Sequence, residues 1–599
     1  MSCPGSDLLS HGLRWIALAA LIVAGGRTAV SFEPPAGQVA QYEANVPKTI
    51  LELQQFRRTT TRDWMDASGR HSIATLIEIN PDANAWFLLK LSREQPATLA
   101  VYHLENPDPT GTRVSLAQDD VPGLWIDSGG RGAPCALWPA IESGALVEAR
   151  RSGLPYAPLC GRKLYLRNPV AGTYTHLEQV TNFLRDHVWG GDRIVNFVRE
   201  EFFRDAFVER GAEVSAPPPA ATTVVSLDAP RPALLDAADA GAAIVPEHLD
   251  IDLAGSVRTL LIGRWYAVKD ASGIHVSAIR PDAIAAAAGS GPGGRVNSLD
   301  SVEAGALDYL VAFDLAEFDL GFELGTDHPR VDWSGREPDA MHDATLPGPD
   351  GIGNSAPLVR TGMVDPALLG RTAATFAGGF KREHGAFRYG DLSQRNHGSH
   401  YGFIEQGAVF SKLQPGLAPV YVLDDGTIGL KSWTRDDDAL LPRIRHARQN
   451  GVPLIEYDAR ADRGIPGSLV AQWGAGNWSG SADEKLRTLR AGLCLQTTAT
   501  RRFLIYGYFS TATPSAMVRV FQAYGCRYAM LLDMNALEHT YMALYTRSGG
   551  RLLVQHLVEG MAEVDRKGGG QLAPRFLSFP DDRDFFYLMR RSAAGAVPP

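Results

Sequence analysis

Residues 501–541 read RRFLIYGYFSTATPSAMVRVFQAYGCRYAMLLDMNALEHTY, a stretch that spells strand, helix and strand and ends on an acid. Positions 503–508 form an apolar and aromatic run of strand length. Thr513 suits an N-cap and Pro514 the first helical position, where a missing N–H has no intrahelical partner to lose. Ala516, Val520, Phe521 and Tyr524 recur at helical spacing, and Gly525 stands where a helix ends on a left-handed residue. A second apolar run, 528–532, delivers Asp533, Met534 and Asn535 at its end. Two strands joined by one such helix predict a parallel, right-handed crossover. Ligands of parallel sheets bind beyond the carboxyl ends of the strands. Ser510, Thr511, Asp533 and Asn535 are therefore expected at one mouth. The helix N-terminus points to the same edge and favours an anionic group there.

Asp533 is the residue on which chemistry would centre. A carboxylate at the mouth of a buried strand can act as acid, base, nucleophile or metal ligand; the competing reading is an Asp that caps a turn. Glu538 and His539 follow within six residues and can fill the same mouth. A second candidate stretch is TFAGGFKREHGAFRYG, residues 375–390. Gly378-Gly379 allows close backbone approach to a ligand, or simply a sharp turn, and Lys381, Arg382, Glu383 and His384 follow directly. His384, His397 and His400 are three potential metal ligands. No acidic or cysteine partner stands at ligand spacing, so no metal site is assigned. A calcium ion stays open as a cofactor, and the sequence requires none. Arg490, in RTLRAG, is either a bidentate clamp for phosphate or carboxylate or a surface arginine.

The chain of 599 residues is 45% hydrophobic and 21% charged, which describes globular protein long enough for two or more domains. A net charge of -9 and the lack of any Lys/Arg block argue against a nucleic-acid surface. Arg14 precedes the apolar run WIALAALIVA and a small-residue exit, so residues 1–30 read as a secretory signal peptide. Spanning a bilayer takes about twenty apolar residues, so membrane contact is expected only if that segment stays uncleaved. The protein is expected to be exported, periplasmic or extracellular. Without Cys3 four cysteines remain, and Cys135–Cys160 with Cys494–Cys526 is the simplest pairing. Buried free thiols are the alternative for the second pair.

Residues 40–212 suggest a first α+β domain. ATLIEI and AWFLLKL flank the turn-rich NPDAN as a hairpin, a third strand follows, then a loop-rich stretch from Gly123 and helices at 174–188 and 192–208. Residues 213–249, rich in Ala and Pro, read as a linker. A second domain then covers 250–590.

In chain order, Ala377-Gly378-Gly379-Phe380, the strand pairs in YGFIEQGAVF and VYVLDDGTIGL, Arg490-Ala491-Gly492 and Leu532-Asp533-Met534-Asn535 resemble the motifs of the phosphodiester glycosidase family. That group includes the enzyme uncovering mannose 6-phosphate on lysosomal proteins. Its pattern opens with Asn-Gly-Gly-Phe and closes with Leu-Asp-Gly-Gly-Gly-Ser; here the Asn is Ala377 and the tail is MNALEH. The resemblance spans roughly residues 370–545. It implies an α+β or mixed α/β fold, with a phosphodiester glycosidase-like domain of mixed sheet and helices after the smaller α+β domain. It also implies a hydrolase for a sugar phosphodiester, or for an envelope or exopolysaccharide glycan. Asp533, Arg490 and Glu538 would be catalytic, with Asp425 and Glu383 as further second carboxylates. Gly378, Gly379, Lys381, His384, Ser510, Thr511, Asn535 and His539 would bind the carbohydrate or sugar-phosphate. The departures at Ala377 and Met534-Asn535 favour instead a non-catalytic glycan-binding or scaffold protein of the cell envelope, using aromatic loops with Trp473, Trp478 and Tyr508.

Overall fold

The computed structural model describes residues 58–591, apart from the stretches 184–205, 215–227, 327–358, 380–401 and 473–484 and short gaps at 68, 94–96, 119–120, 174, 176–178, 181–182, 289, 292–293, 412, 414, 549–550 and 569–570. The expected signal peptide, most of both expected helices between 174 and 208, and residues Lys381, Glu383, His384, His397, His400, Trp473 and Trp478 lie outside these residues. Among the described residues no helix is long and apolar enough to cross a membrane.

The chain forms two compact units, one of residues 57–170 and 354–359, the other of the remaining residues from 171 onward. The first unit holds a six-stranded antiparallel sheet in the order Arg58–Met65, His71–Glu78, Trp86–Arg93, Thr98–Glu105, Leu164–Arg167, Tyr156–Leu159. The expected hairpin around NPDAN is its second and third strands, paired from Ile73↔Ser92 to Glu78↔Phe87. The stretch from Gly123, expected as loop, is a hairpin too. Gly123–Ser128 pairs with Arg131–Ala136 across a two-residue Gly129-Gly130 turn, the connection that best suits twisted strands. Cys135 and Cys160 are joined, their Cα atoms 5.7 Å apart.

In the second unit the decisive strands are Thr488–Thr497, Arg502–Ala512 and Cys526–Met534, within an eight-stranded sheet. The helix Pro514–Ala523 forms where expected, capped by Thr513, whose hydroxyl accepts from the Ala516 amide. The parallel crossover does not. Arg502–Ala512 and Cys526–Met534 run the same way, but Thr488–Thr497 lies between them and pairs antiparallel with both. The cause is local: residues 498–501 close a tight turn that folds 488–497 back onto 502–512 before the helix is reached. The crossover then steps over an occupied position. All the named strand pairings are antiparallel, and this ten-residue helix is the longest among the described residues. The α+β or mixed α/β expectation is thus overturned in favour of a mostly antiparallel β protein.

The helix seats in a trough made by Gly492 and Gly507, which face each other across the hairpin. A Cβ at Gly492 would come within 2.8 Å of Met517 Cε, and one at Gly507 within 3.0 Å of the Phe521 ring. The opposite face of the sheet carries Tyr506 and meets a five-stranded sheet ordered Phe318–Glu323, Phe585–Arg590, Thr372–Ala377, Met542–Ser548, Arg551–His556. Phe376 packs there on Tyr506 and on Phe586, with ring centroids 5.4 Å apart in each case. Residues 228–249, expected as linker, are laid onto this unit. Ala243–Val245 pairs with Ala212–Val214 and Leu260–Leu261, and Trp265 Nε1 donates to Arg231 O at 2.7 Å.

Cys494 and Cys526, on neighbouring strands, form the second disulfide, with Cα atoms 5.8 Å apart. It closes a loop of 32 residues that contains the whole hairpin-to-helix passage. Replacing both cysteines by serine should therefore cost about 2–4 kcal/mol of unfolding free energy, read by urea denaturation. A variant as stable as the parent under oxidising conditions would show that the thiols are unpaired.

Candidate functional site

Asp533 is the penultimate residue of its strand and is 2% exposed. Its Oδ2 accepts from Arg583 Nη1 at 2.9 Å, and its Oδ1 from the Met534 amide at 2.8 Å. Arg583 Nη2 lies 2.6 Å from His539 Nε2, and His539 Nδ1 lies 2.7 Å from the Met534 carbonyl. A guanidinium can only donate and a carbonyl can only accept. This geometry therefore fixes His539 as neutral imidazole with its proton on Nδ1. Burial and then the charge of Asp533 push the Tyr506 phenol well up.

The glycine pair reaches the same neighbourhood from the other sheet. Gly378 donates its amide to Asp584 O at 2.8 Å, next to Arg583. Gly379 has φ +139, and a Cβ there would meet the Asn450 side chain at 3.0 Å. Asn450 Nδ2 in turn donates to Leu531 O at 2.8 Å and to Leu532 O, on the strand that ends in Asp533. Only glycine meets both demands at 379. The structure thus joins Asp533, His539, Gly378 and Gly379 through Arg583, Asp584 and Asn450.

None of those three connectors was singled out from sequence. Asp581-Asp582-Arg583-Asp584 is a run of four charged residues, yet every member is at most 5% exposed. Ion pairs and backbone amides hold it, the Gly325 amide donating to Asp584 Oδ1 at 3.0 Å. Arg575 grips Asp581 with two bonds of 2.7 and 3.0 Å, Arg448 Nε stands 3.2 Å from Asp584, and Arg583 holds Asp533. The available signal was the flanking pattern: four charged residues between Phe579-Pro580 and Phe585-Phe586-Tyr587 leave little chain to reach solvent. Beneath this belt Asp565 accepts from Tyr541 Oη at 2.8 Å and from the Arg575 amide at 3.0 Å, and lies 2.9 Å from His556 Nε2.

The other expected residues are placed elsewhere. Arg490 is fully buried and donates to Ala512 O at 2.7 Å, Leu486 O at 2.8 Å and Met534 Sδ at 3.2 Å. Successive side chains of a strand leave opposite faces. Arg490 thus reaches the side of Met534 and not that of Asp533, and it ties strand ends together. Glu538 receives the Thr175 hydroxyl at 3.5 Å, while its carbonyl takes Arg575 Nη1 at 2.6 Å. Asn535 holds φ +80, a left-handed value that Asn tolerates better than most residues, and its Oδ1 accepts from Thr488 Oγ1 at 3.1 Å. Asp425 is an exposed turn residue 2.9 Å from Arg443.

Ser510 and Thr511 are not loop residues, because their strand continues to Ala512 and buries both. The Ser510 amide donates to Asp308 at 3.2 Å, a carboxyl that burial raises well above the usual range, with Glu303 and Glu209 adding to the shift. The expected anion seat at the helix start is already filled from within. Glu303 Oε2 accepts from the Thr513 amide at 2.8 Å, so the chain supplies its own carboxylate where a ligand was expected. Among the described residues no group of three or more His, Cys, Asp or Glu could hold a metal ion.

No protein-family model and no curated protein matches this chain. Among solved structures it is similar to the catalytic domain of zebrafish N-acetylglucosamine-1-phosphodiester alpha-N-acetylglucosaminidase, auto-inhibited by its pro-peptide. That likeness covers 54% of this chain and 85% of the other, at 11% identity and a TM-score of 0.27. A likeness that loose leaves any argument about function to the residues themselves.

Two outcomes check the belt. Arg583→Met should destabilise by about 3–5 kcal/mol because it strands a buried carboxylate. Adding Asp533→Leu should restore part of that loss in urea unfolding; strictly additive losses would mean that the two residues do not pair. His556 gives a pH test. Burial disfavours its charged form, but hydrogen bonds and charge from Asp250 and Asp565 prevail and hold its pKa at about 9. The folded value lies above the ordinary one of about 6.5, so the contribution is full below pH 6.5 and is lost as pH rises through 9. Unfolding free energy should fall across that window, and His556→Gln should flatten the fall.

Proposed function

We propose that this chain is an exported, glycosidase-like hydrolase of a sugar phosphodiester or an envelope glycan, with its reactive centre at Asp533. The observation that carries this is the convergence of Asp533 and His539 on Arg583, with the Gly378 amide docked on the carbonyl of the next residue, Asp584. It supports a changed cast. Arg583, standing between a carboxylate and an imidazole, takes the anion-holding role first given to Arg490. A substrate phosphate brings negative charge to that guanidinium and competes with Asp533 for it, leaving the carboxylate to face the developing positive charge of an oxocarbenium-like centre. A phosphate leaving group is already weakly basic, so such a substrate needs less help from a second carboxylate. Two disulfides agree with export into an oxidising compartment, which the N-terminal sequence suggests.

A specific observation favours a second reading, a non-catalytic glycan-binding protein of the envelope: Asp533 is 2% exposed and already paired. Hydrolysis of a chromogenic sugar phosphodiester and of a neutral glycan panel separates the two. Under the first reading Asp533→Asn lowers kcat/KM by about 10²–10⁴, while Arg490→Lys changes stability but leaves activity per folded molecule near that of the parent. Activity indifferent to Asp533→Asn sinks the mechanism. A parent that hydrolyses nothing on the panel yet retains glycan binds in favour of the second reading.

A further inference from the structure

The two disulfides stand in opposite settings. Cys494 and Cys526 are 0% and 1% exposed, enclosed on neighbouring strands of the eight-stranded sheet. Cys135 and Cys160 are only half-buried. Cys135 lies on Arg131–Ala136, the outer strand of a three-stranded sheet ordered Thr112–Leu116, Gly123–Ser128, Arg131–Ala136, and every other residue of that strand is exposed. Cys160 opens the turn 160–163, which joins Tyr156–Leu159, the outer strand of the six-stranded sheet, to Leu164–Arg167. Gly161, Arg162 and Lys163 are all exposed. The bond thus clips two sheets of the first unit together at their edges. Beneath it, Leu124 and Ile126 of one sheet share a core with Leu159 and Leu164 of the other.

The turn that carries Cys160 is also strained. Cys160, Gly161 and Arg162 hold φ of +50, +65 and +69, three left-handed residues in succession, and only the glycine adopts that conformation without cost. Such a run persists where its surroundings impose it. Within the turn the Lys163 amide reaches the Cys160 carbonyl at a long 3.4 Å, and the covalent tie to Cys135 is the further constraint. Beside the buried pair the left-handed residue is Gly525, which bears no such cost. Exchange begins when a thiolate attacks a disulfide sulfur, so exposure and strain are what make a disulfide labile. Both single out Cys135–Cys160.

We propose that Cys135–Cys160 is a redox clip, opened by a dithiol reductant while Cys494–Cys526 stays closed. One thiolate of the dithiol attacks Cys135 Sγ, forms a mixed disulfide and expels Cys160 as a thiolate. The second thiolate attacks its partner sulfur, expels Cys135 and leaves the dithiol oxidised to a disulfide. The two protons of the dithiol end on the two cysteines. Opening lets residues 160–162 relax and frees the 123–136 hairpin from the six-stranded sheet. The clip is independent of the reaction assigned to Asp533. The test treats the oxidised full chain with dithiothreitol in native buffer, traps thiols with N-ethylmaleimide and reads each cysteine by peptide mass spectrometry. Cys135 and Cys160 should be labelled at least tenfold faster than Cys494 and Cys526. Trypsin cleavage after the exposed Arg131 should rise severalfold on reduction, and the Cys135→Ser, Cys160→Ser double variant should show that rise without reductant. Arg162→Gly, which accepts the left-handed backbone, should shift the midpoint of reduction severalfold toward more reducing dithiothreitol ratios. Equal labelling of the two pairs overturns the proposal, as does labelling of Cys135 and Cys160 only after denaturation. So does a reduced chain no more sensitive at Arg131 than the oxidised one, or a midpoint that Arg162→Gly leaves in place.

Discussion

The ion pair between Arg583 and Asp533 is the constraint around which the second unit is arranged. Asp533 closes a strand of the eight-stranded sheet, and Arg583 leads into Phe585–Arg590 of the five-stranded one, so a 2.9 Å contact fixes the end of one sheet against the entry of the other. A carboxylate so deeply buried is tolerable only with its cation in place. That requirement propagates. Arg583 must be held, and the turn that holds it is pinned by Arg575 on Asp581 and by Arg448 near Asp584. The Gly378 amide then docks on the Asp584 carbonyl, bringing the glycine pair to the same place.

The same belt decides which chemistry is within reach. Arg583 is shared between a carboxylate and a neutral imidazole, an arrangement that can exchange partners when a new anion arrives. Arg490, by contrast, is committed to backbone carbonyls and a thioether on the other side of the strand. An arginine is not a ligand clamp merely because it is buried near an acid; the face its strand assigns to it comes first.

Much of the site was legible locally. The cap at Thr513, the helix that follows it, the strand into Asp533 and both cysteine pairings depend on neighbours in sequence or on chemistry that needs few partners. What failed was any inference that required knowing a strand's neighbour. The parallel crossover was a sound deduction from strand, helix and strand, but the position beside the Arg502–Ala512 strand was already taken by the hairpin partner. Ser510 and Thr511 looked like a loop because polar residues usually end strands, and tertiary burial carried the strand past them to Ala512. The Asp581–Asp584 run is four charged residues in a row, and its burial rests on Arg575 and Arg448, which the fold brings against it from elsewhere in the chain.

The sequence by itself determined the local turns, the helix and its cap, the glycine pair, and the acid at the end of its strand, because capping, periodicity and backbone conformation act over a few residues. Tertiary structure alone decided that the sheets are antiparallel, that Glu303 already occupies the helix start, and that Arg583 and not Arg490 is the cation at Asp533. Those outcomes rest on contacts between residues far apart in the chain, such as the 50 positions that separate Asp533 from Arg583. Buried charges accept only partners that the whole fold brings within hydrogen-bond reach, and no local pattern specifies which partners those are.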